Sequence, residues 1–213
     1  MLERDKLLEL YHRLYKAYGP QYWWPAETPF EVMVGAVLTQ NTAWNNVEKA
    51  INNLKAADKL ALLPMTRMSE RRLAELIRPA GYFNVKSRRL KAMCMWLKTG
   101  GGLARLGKLS TDALRAALLS VHGIGPETAD DILLYAFDRP VFVIDAYTRR
   151  LLLSLELISG GEDYEQLRTA FESVLEPEAA LYNEYHALIV RHAKERCSNT
   201  LECRHCRIER PLP

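Results

Sequence analysis

An all-α protein is what this sequence predicts, on three observations. Apolar residues recur at helical spacing in ten separate segments. The one extended run, Val141-Phe142-Val143-Ile144, is short and has no evident strand partner. The glycines of Gly123-Ile124-Gly125 stand between two helical patterns, as a turn between helices would require.

The helices follow in order. Leu7, Leu8, Leu10, Tyr11, Leu14 and Tyr18 form a stripe that ends at Gly19-Pro20. Thr28-Pro29-Phe30-Glu31 reads as a helix start, with a threonine cap, proline in the first turn and glutamate three after the cap. The helix over 30–38 is apolar almost all round, which predicts burial. Further helices are expected over 44–55, 69–78, 86–98, 111–119, 126–137, 146–155, 164–174 and 180–194. Gly100-Gly101-Gly102 marks a loop, and there are no internal repeats or low-complexity tracts.

A chain of 213 residues can bury a real core. Its 48% hydrophobic and 26% charged content are those of an ordinary globular protein. No apolar run approaches the roughly 20 residues needed to span a bilayer, and the N-terminus lacks a signal-peptide core, so the cytoplasm is the expected compartment. The formal charge of +3 permits a polyanionic partner without demanding one. Three of the four cysteines fall in the last 17 residues. In a reducing compartment such clustering points to metal or an iron–sulfur cluster instead of disulfides.

Gly123 and Gly125 can both take positive φ and admit another molecule's backbone. Gly125 precedes Pro126, a favoured first helical residue, so the hairpin leads into a helix N-terminus. Free amides and the helix dipole suit an anion there, and a DNA phosphate fits, read as shape and not as sequence. A plain tight turn between antiparallel helices is the other reading. Asp145, 20 residues after Gly125, precedes a helical pattern and suits an ordinary N-cap. Trp23-Trp24-Pro25 lies in a connection between helices, where adjacent side chains are expected to point apart and resist joint burial. Trp96 reads as core, and Cys94 as a buried thiol in an apolar helix.

Several segments together carry a resemblance. They are Phe30-Glu31 with Ala36-Val37-Leu38-Thr39-Gln40, Gly81-Tyr82-Phe83-Asn84-Val85-Lys86, the hairpin, Val143-Ile144-Asp145 and the terminal cysteines. In this order they span most of the chain and resemble the helix-hairpin-helix DNA glycosylases of the endonuclease III superfamily. The resemblance implies two all-α lobes with a DNA groove between them. One is a six-helix barrel over 23–139 that carries the hairpin; the other is formed by 1–22 and 140–213. Trp23-Trp24-Pro25, Gly35 to Thr42 and Gly123-Ile124-Gly125-Pro126-Glu127 further resemble the bacterial 3-methyladenine glycosylase branch.

What the resemblance implies for individual residues is specific. Asp145 is the catalytic carboxylate, stabilising an oxocarbenium-like sugar and helping to orient water. Family members that also cut the strand carry a Schiff-base lysine two residues after the second hairpin glycine. Glu127 occupies that position here, which implies a monofunctional enzyme without lyase activity. Glu127 reads equally as a pocket carboxylate or as a first-turn acid favoured by the dipole. Trp23, Trp24, Pro25 and Trp44 line a base pocket, where indoles would favour a cationic N-alkylpurine. Gln40 or Asn41 fills the gap left by the flipped base, unless it is an ordinary loop amide. Gly123, Ile124 and Gly125 hold phosphate. Lys86, with Arg88 and Arg89 nearby, either contacts phosphate or lies on a solvated helix face.

Cys197, Cys203 and Cys206 resemble the family's loop for a 4Fe-4S cluster, but the expected fourth cysteine position is Leu212. The fourth ligand is thus unidentified. A non-cysteine ligand, a chain cut short or a decayed site would each account for it, and a zinc site using His205 or His192 is the alternative. No organic cofactor is implied. The expected partner is duplex DNA with a damaged base, met by a monomer and with no membrane. The competing functions are a mismatch thymine or uracil glycosylase, a DNA-binding module without catalysis, and a helical protein-interaction domain.

Overall fold

A computed structural model describes residues 2–196, with side chains over 2–195. Its described residues form helices and no strand, in agreement with the all-α expectation. The chain divides into two compact units, Ala26–Phe137 and a second one built from both ends, Met1–Pro25 with Asp138–Pro213. Trp23, Trp24 and Pro25 belong to the unit of the chain ends.

In the central unit, α2 (Pro29–Leu38) is the core helix. Thr28 caps it by accepting the Glu31 amide at 3.1 Å, and nine of its ten residues are buried. The exclusion of water from nearly every side follows from its apolar sequence. Glu31 is buried as well. Its carboxylate accepts the Glu27 amide at 3.1 Å, not the cap amide, and pairs with Lys55 at 2.9 Å. Around α2 pack α3 (Trp44–Ala56), α6 (Phe83–Thr99) and α9 (Pro126–Phe137). The short α4 (Leu62–Arg67), α5 (Glu70–Leu76), α7 (Leu103–Leu106) and α8 (Thr111–Leu119) complete the unit.

Three sequence expectations change here. The helix expected over 69–78 ends at Leu76 and continues as a 3-10 turn, Arg78–Ala80, because Pro79 disfavours α geometry before it. Helix α6 begins three residues before the expected 86, at Phe83, after Tyr82 turns the chain with φ 44°. Helices α4 and α7 were not expected, since six and four residues are too few for periodicity to register.

In the unit of the chain ends, α12 (Ala179–Arg196) packs against α1 (Arg4–Tyr18) and α10 (Ala146–Ser154), beside α11 (Tyr164–Val174). The run Val141–Ile144 is fully buried without becoming a strand. Phe142 stacks on Phe171 at 4.1 Å between centroids, and its amide donates to Glu172 at 2.9 Å. Side-chain packing and a side-chain acceptor therefore do what a neighbouring strand would do, and they fix where the next residue, Asp145, emerges.

Candidate active site

Asp145 is the N-cap of α10. Its Oδ1 accepts the Thr148 amide at 2.7 Å, and its Oδ2 lies 3.6 Å from Nε2 of the buried His186 on α12. That second distance is an electrostatic contact, too long for a hydrogen bond. The Asp145 side chain keeps 14% exposure. Burial alone would raise its pKa; the His186 imidazole and the Thr148 amide outweigh burial and hold it below the ordinary value of 3.8. The carboxylate is thus ionised at neutral pH and fixed in direction by the cap.

The tryptophan loop belongs to the same unit. Gln21 anchors it to α12 through its amide, which donates to Glu184 at 2.7 Å. Tyr22 then turns the chain with φ 53° and is 84% exposed. Trp23 and Trp24 are half-buried and lie side by side, with ring centroids 5.3 Å apart. Alternation of neighbouring side chains does not hold here, because the loop is no strand. Pro25 is exposed. From α12, the Lys194 ammonium lies 5.9 Å from the Trp23 ring and 5.6 Å from that of Tyr147. Loss of water lowers the Lys194 pKa, and the charge of Asp145 opposes that shift. One tryptophan of the pair therefore already faces a cation of the chain itself. His186, Lys194 and Tyr147 had no signal in local sequence: the first two arrive from a helix some 40 residues downstream of Asp145.

The central unit holds the hairpin. Helix α8 ends at Leu119, the Ile124 amide closes a turn on Val121 O at 3.0 Å, and α9 starts at Pro126. Arg115 and the fully buried Asp130 join the two helices through paired bonds of 2.6 and 3.0 Å. Gly123 has φ 87°, whereas Gly125 stays outside the left-handed region, so only the first glycine is required by backbone conformation. Gly125 is exposed, and a Cβ there would meet nothing within 4 Å. Ile124 is buried at 5% exposure, so its side chain anchors the hairpin and only its backbone is left to face a ligand.

Other candidate residues of this unit separate by exposure. Glu127 is exposed in the first turn of α9, and Trp44 is half-buried at the start of α3. Gln40 is half-buried and bonded to the hairpin; Asn41, at φ 52°, is exposed.

The expectation of a phosphate contact at Lys86 is corrected. With α6 starting at Phe83, Lys86 falls on an inward face at 1% exposure. Its ammonium donates to Leu38 O and Ala80 O, each at 2.8 Å, and to Thr42 Oγ1. All three donors are used inside the unit. Burial, with the Arg89 charge beside it, lowers its pKa to about 8.

Cys197, Cys203, Cys206 and His205 lie outside the described residues. Among the described residues no group of three or more His, Cys, Asp or Glu side chains could hold a metal ion, and no helix is long and apolar enough to cross a membrane.

Comparison with known proteins agrees with these motifs. The chain is 46% identical over 213 residues to a Methanocaldococcus jannaschii protein named "Putative DNA repair glycosylase", covering 97% of each. It is similar to the crystal structure of H. pylori 3-methyladenine DNA glycosylase (MagIII) bound to 1,N6-ethenoadenine. The TM-score is 0.77 and the identity 32%, over 92% of this chain and 100% of that one. A trapped endonuclease III–DNA covalent intermediate shares the fold, with TM-score 0.78 and 17% identity over 93% and 89% of the two chains. The family model for HhH-GPD superfamily base excision DNA repair proteins matches residues 34–177, a span that takes in the hairpin and Asp145. The chain belongs to the HhH-GPD superfamily of base excision DNA repair proteins, as a DNA glycosylase.

Proposed function

We propose that this glycosylase is monofunctional and hydrolyses the N-glycosidic bond of N-alkylated purines in duplex DNA, acting as a monomer. The observation that carries the reading is the state of Asp145: ionised, capped and partly exposed. A fixed carboxylate of this kind stabilises positive charge developing on the sugar, and needs no reorganisation to do so. Alkylation at a ring nitrogen makes the purine a good leaving group, so no strong general acid is required. Glu127 replaces the Schiff-base lysine of bifunctional relatives, and a carboxylate cannot form an imine. The 32% identity to a 3-methyladenine glycosylase supports the alkylpurine class.

One observation favours the second reading, a mismatch thymine or uracil glycosylase. Lys194 places an ammonium on the Trp23 ring, and a cationic purine stacked there would meet like charge. Excision from duplexes carrying 3- or 7-methylpurines, 1,N6-ethenoadenine, uracil and thymine mismatches separates the two. Methylpurine release with intact abasic product is expected, and release confined to uracil or mismatched thymine supports the alternative. Borohydride added during turnover is expected to trap no protein–DNA adduct. A trapped adduct, with contaminating lyase excluded, would refute the monofunctional reading.

We further propose that Cys197, Cys203 and Cys206 hold a 4Fe-4S cluster with an unidentified fourth ligand. The donor set, three thiolates within ten residues, suits iron–sulfur ligation but is one thiolate short. Purified protein is expected to be brown, with iron and labile sulfide in about equal amounts. A folded, active, colourless protein without iron would sink this proposal.

A further inference from the structure

We propose that Gln40 and Arg89 form a clasp that holds the hairpin in its DNA-binding shape. Gln40 is then a positioning residue of the interface, and Asn41 is left to fill the gap opened by base flipping. The inference rests on the reading of the hairpin as a phosphate contact.

The side-chain amide of Gln40 is fully used. Its Nε2 donates to Gly123 O at 3.0 Å and to Thr128 Oγ1 at 2.9 Å, while its Oε1 accepts from the Arg89 guanidinium. One residue therefore joins the end of α2, the hairpin turn, the first turn of α9 and the middle of α6. A carbonyl oxygen left to face an incoming phosphate would repel it, and Gln40 occupies the one at Gly123. For Gln40 to enter a duplex it would have to abandon three bonds and strand their partners.

Arg89 completes the arrangement by lying across the turn. A Cβ at Gly123 would sit 2.2 Å from Arg89 Cγ and 2.6 Å from its Cδ, so Gly123 is required by this packing as well as by its φ. Among the described residues, no carboxylate pairs with Arg89, and Gln40 is its one hydrogen-bond partner. The half-buried guanidinium thus brings an uncompensated charge to the hairpin, with the buried Lys86 ammonium nearby. That Arg89 charge, lying across the turn at Gly123, suits a backbone phosphate. Asn41 differs in each respect: it is exposed, and its side chain has no hydrogen-bond partner among the described residues.

The test is equilibrium binding, at one fixed salt concentration, to an undamaged duplex and to one carrying an uncleavable tetrahydrofuran abasic-site analogue. Gln40→Ala and Arg89→Met are each expected to weaken binding to both duplexes by the same factor, about tenfold. The double variant should be little worse than either single one, as residues of one unit are. Asn41→Ala should weaken only the abasic-site complex. Unchanged binding in Gln40→Ala, loss confined to the abasic-site duplex, or single effects that multiply in the double variant would each overturn the clasp. Gly125→Val, which has room in the fold, separates this from failure of the underlying reading. If it binds undamaged DNA like wild type, the hairpin is not the phosphate contact. If it loses binding while Gln40→Ala does not, the clasp alone is wrong. Should Gln40→Ala fail to fold, the side-chain amide resonances of Gln40 in the wild-type protein decide. They are expected at the same positions in both DNA complexes, and a change confined to the abasic-site complex overturns the proposal.

Discussion

Asp145→Asn is expected to lose base excision by a factor of about 10²–10³ while remaining folded and bound to DNA. The asparagine retains an oxygen that can accept the Thr148 amide, and Asn caps helices as well as Asp does. What it removes is the negative charge, and preorganised electrostatic groups of this kind contribute about 3–4 kcal/mol to a transition state. Single-turnover excision and binding to an abasic-site analogue, measured together, check the split. If excision falls only in proportion to binding, Asp145 has no catalytic role. A wild-type protein that binds lesion DNA but excises nothing from it would support a DNA-binding module instead. The same carboxylate fixes a pH dependence. Its native pKa lies below the unfolded value of 3.8, so its contribution to stability is complete above that value and is lost as pH falls through the lower native one. The acid limb of excision due to Asp145 should likewise fall below the ordinary carboxylate range. An acid limb near neutral pH that vanishes in Asp145→Asn would contradict the depressed value.

Lys86→Met is expected to lower stability by about 2–4 kcal/mol, because three oxygens lose their shared donor and a buried acceptor left unmet costs about 1–3 kcal/mol. Leu38 O loses the most, since Ala80 O keeps the Thr42 hydroxyl at 2.6 Å. In a chain of this size that is a fall in Tm of about 10 °C. Methionine retains the length and the apolar stem, so little of the loss should come from a cavity. Thermal melting and DNA binding distinguish the two roles considered for this residue. A phosphate ligand would give an unchanged Tm, weaker DNA binding and a salt dependence reduced by about one charge. The buried role, with three bonds inside the unit, predicts the reverse, with affinity per folded molecule close to that of wild type.

Much of the fold could be read from local pattern because each helix carries its own apolar stripe and stop signals. Helices α8, α9 and α11 fall where periodicity puts them, at Thr111–Leu119, Pro126–Phe137 and Tyr164–Val174. Helices of only one or two turns could not be read, nor could the stop imposed near Pro79 be placed to the residue. The candidate site was less legible. Asp145 and the hairpin stand out because a cap and a pair of glycines are local features. His186 and Lys194 do not, since nothing in their own neighbourhood announces that α12 brings them toward Asp145.

The sequence by itself determined the all-α class, the order of the major helices, the family, and the absence of a lysine at position 127. Each depends on residue types and short spacings, which survive without knowledge of what packs against what. Tertiary structure alone decided how polar side chains are spent. Lys86 and Gln40 both read as solvent-facing candidates for DNA, yet one is buried among carbonyls and the other is bonded to the hairpin. Gly125 could not be told from Gly123 until φ and neighbouring atoms separated them. The physical reason is the same in each case: a hydrogen bond or a close approach is a fact about two distant segments, and a linear pattern records only one of them.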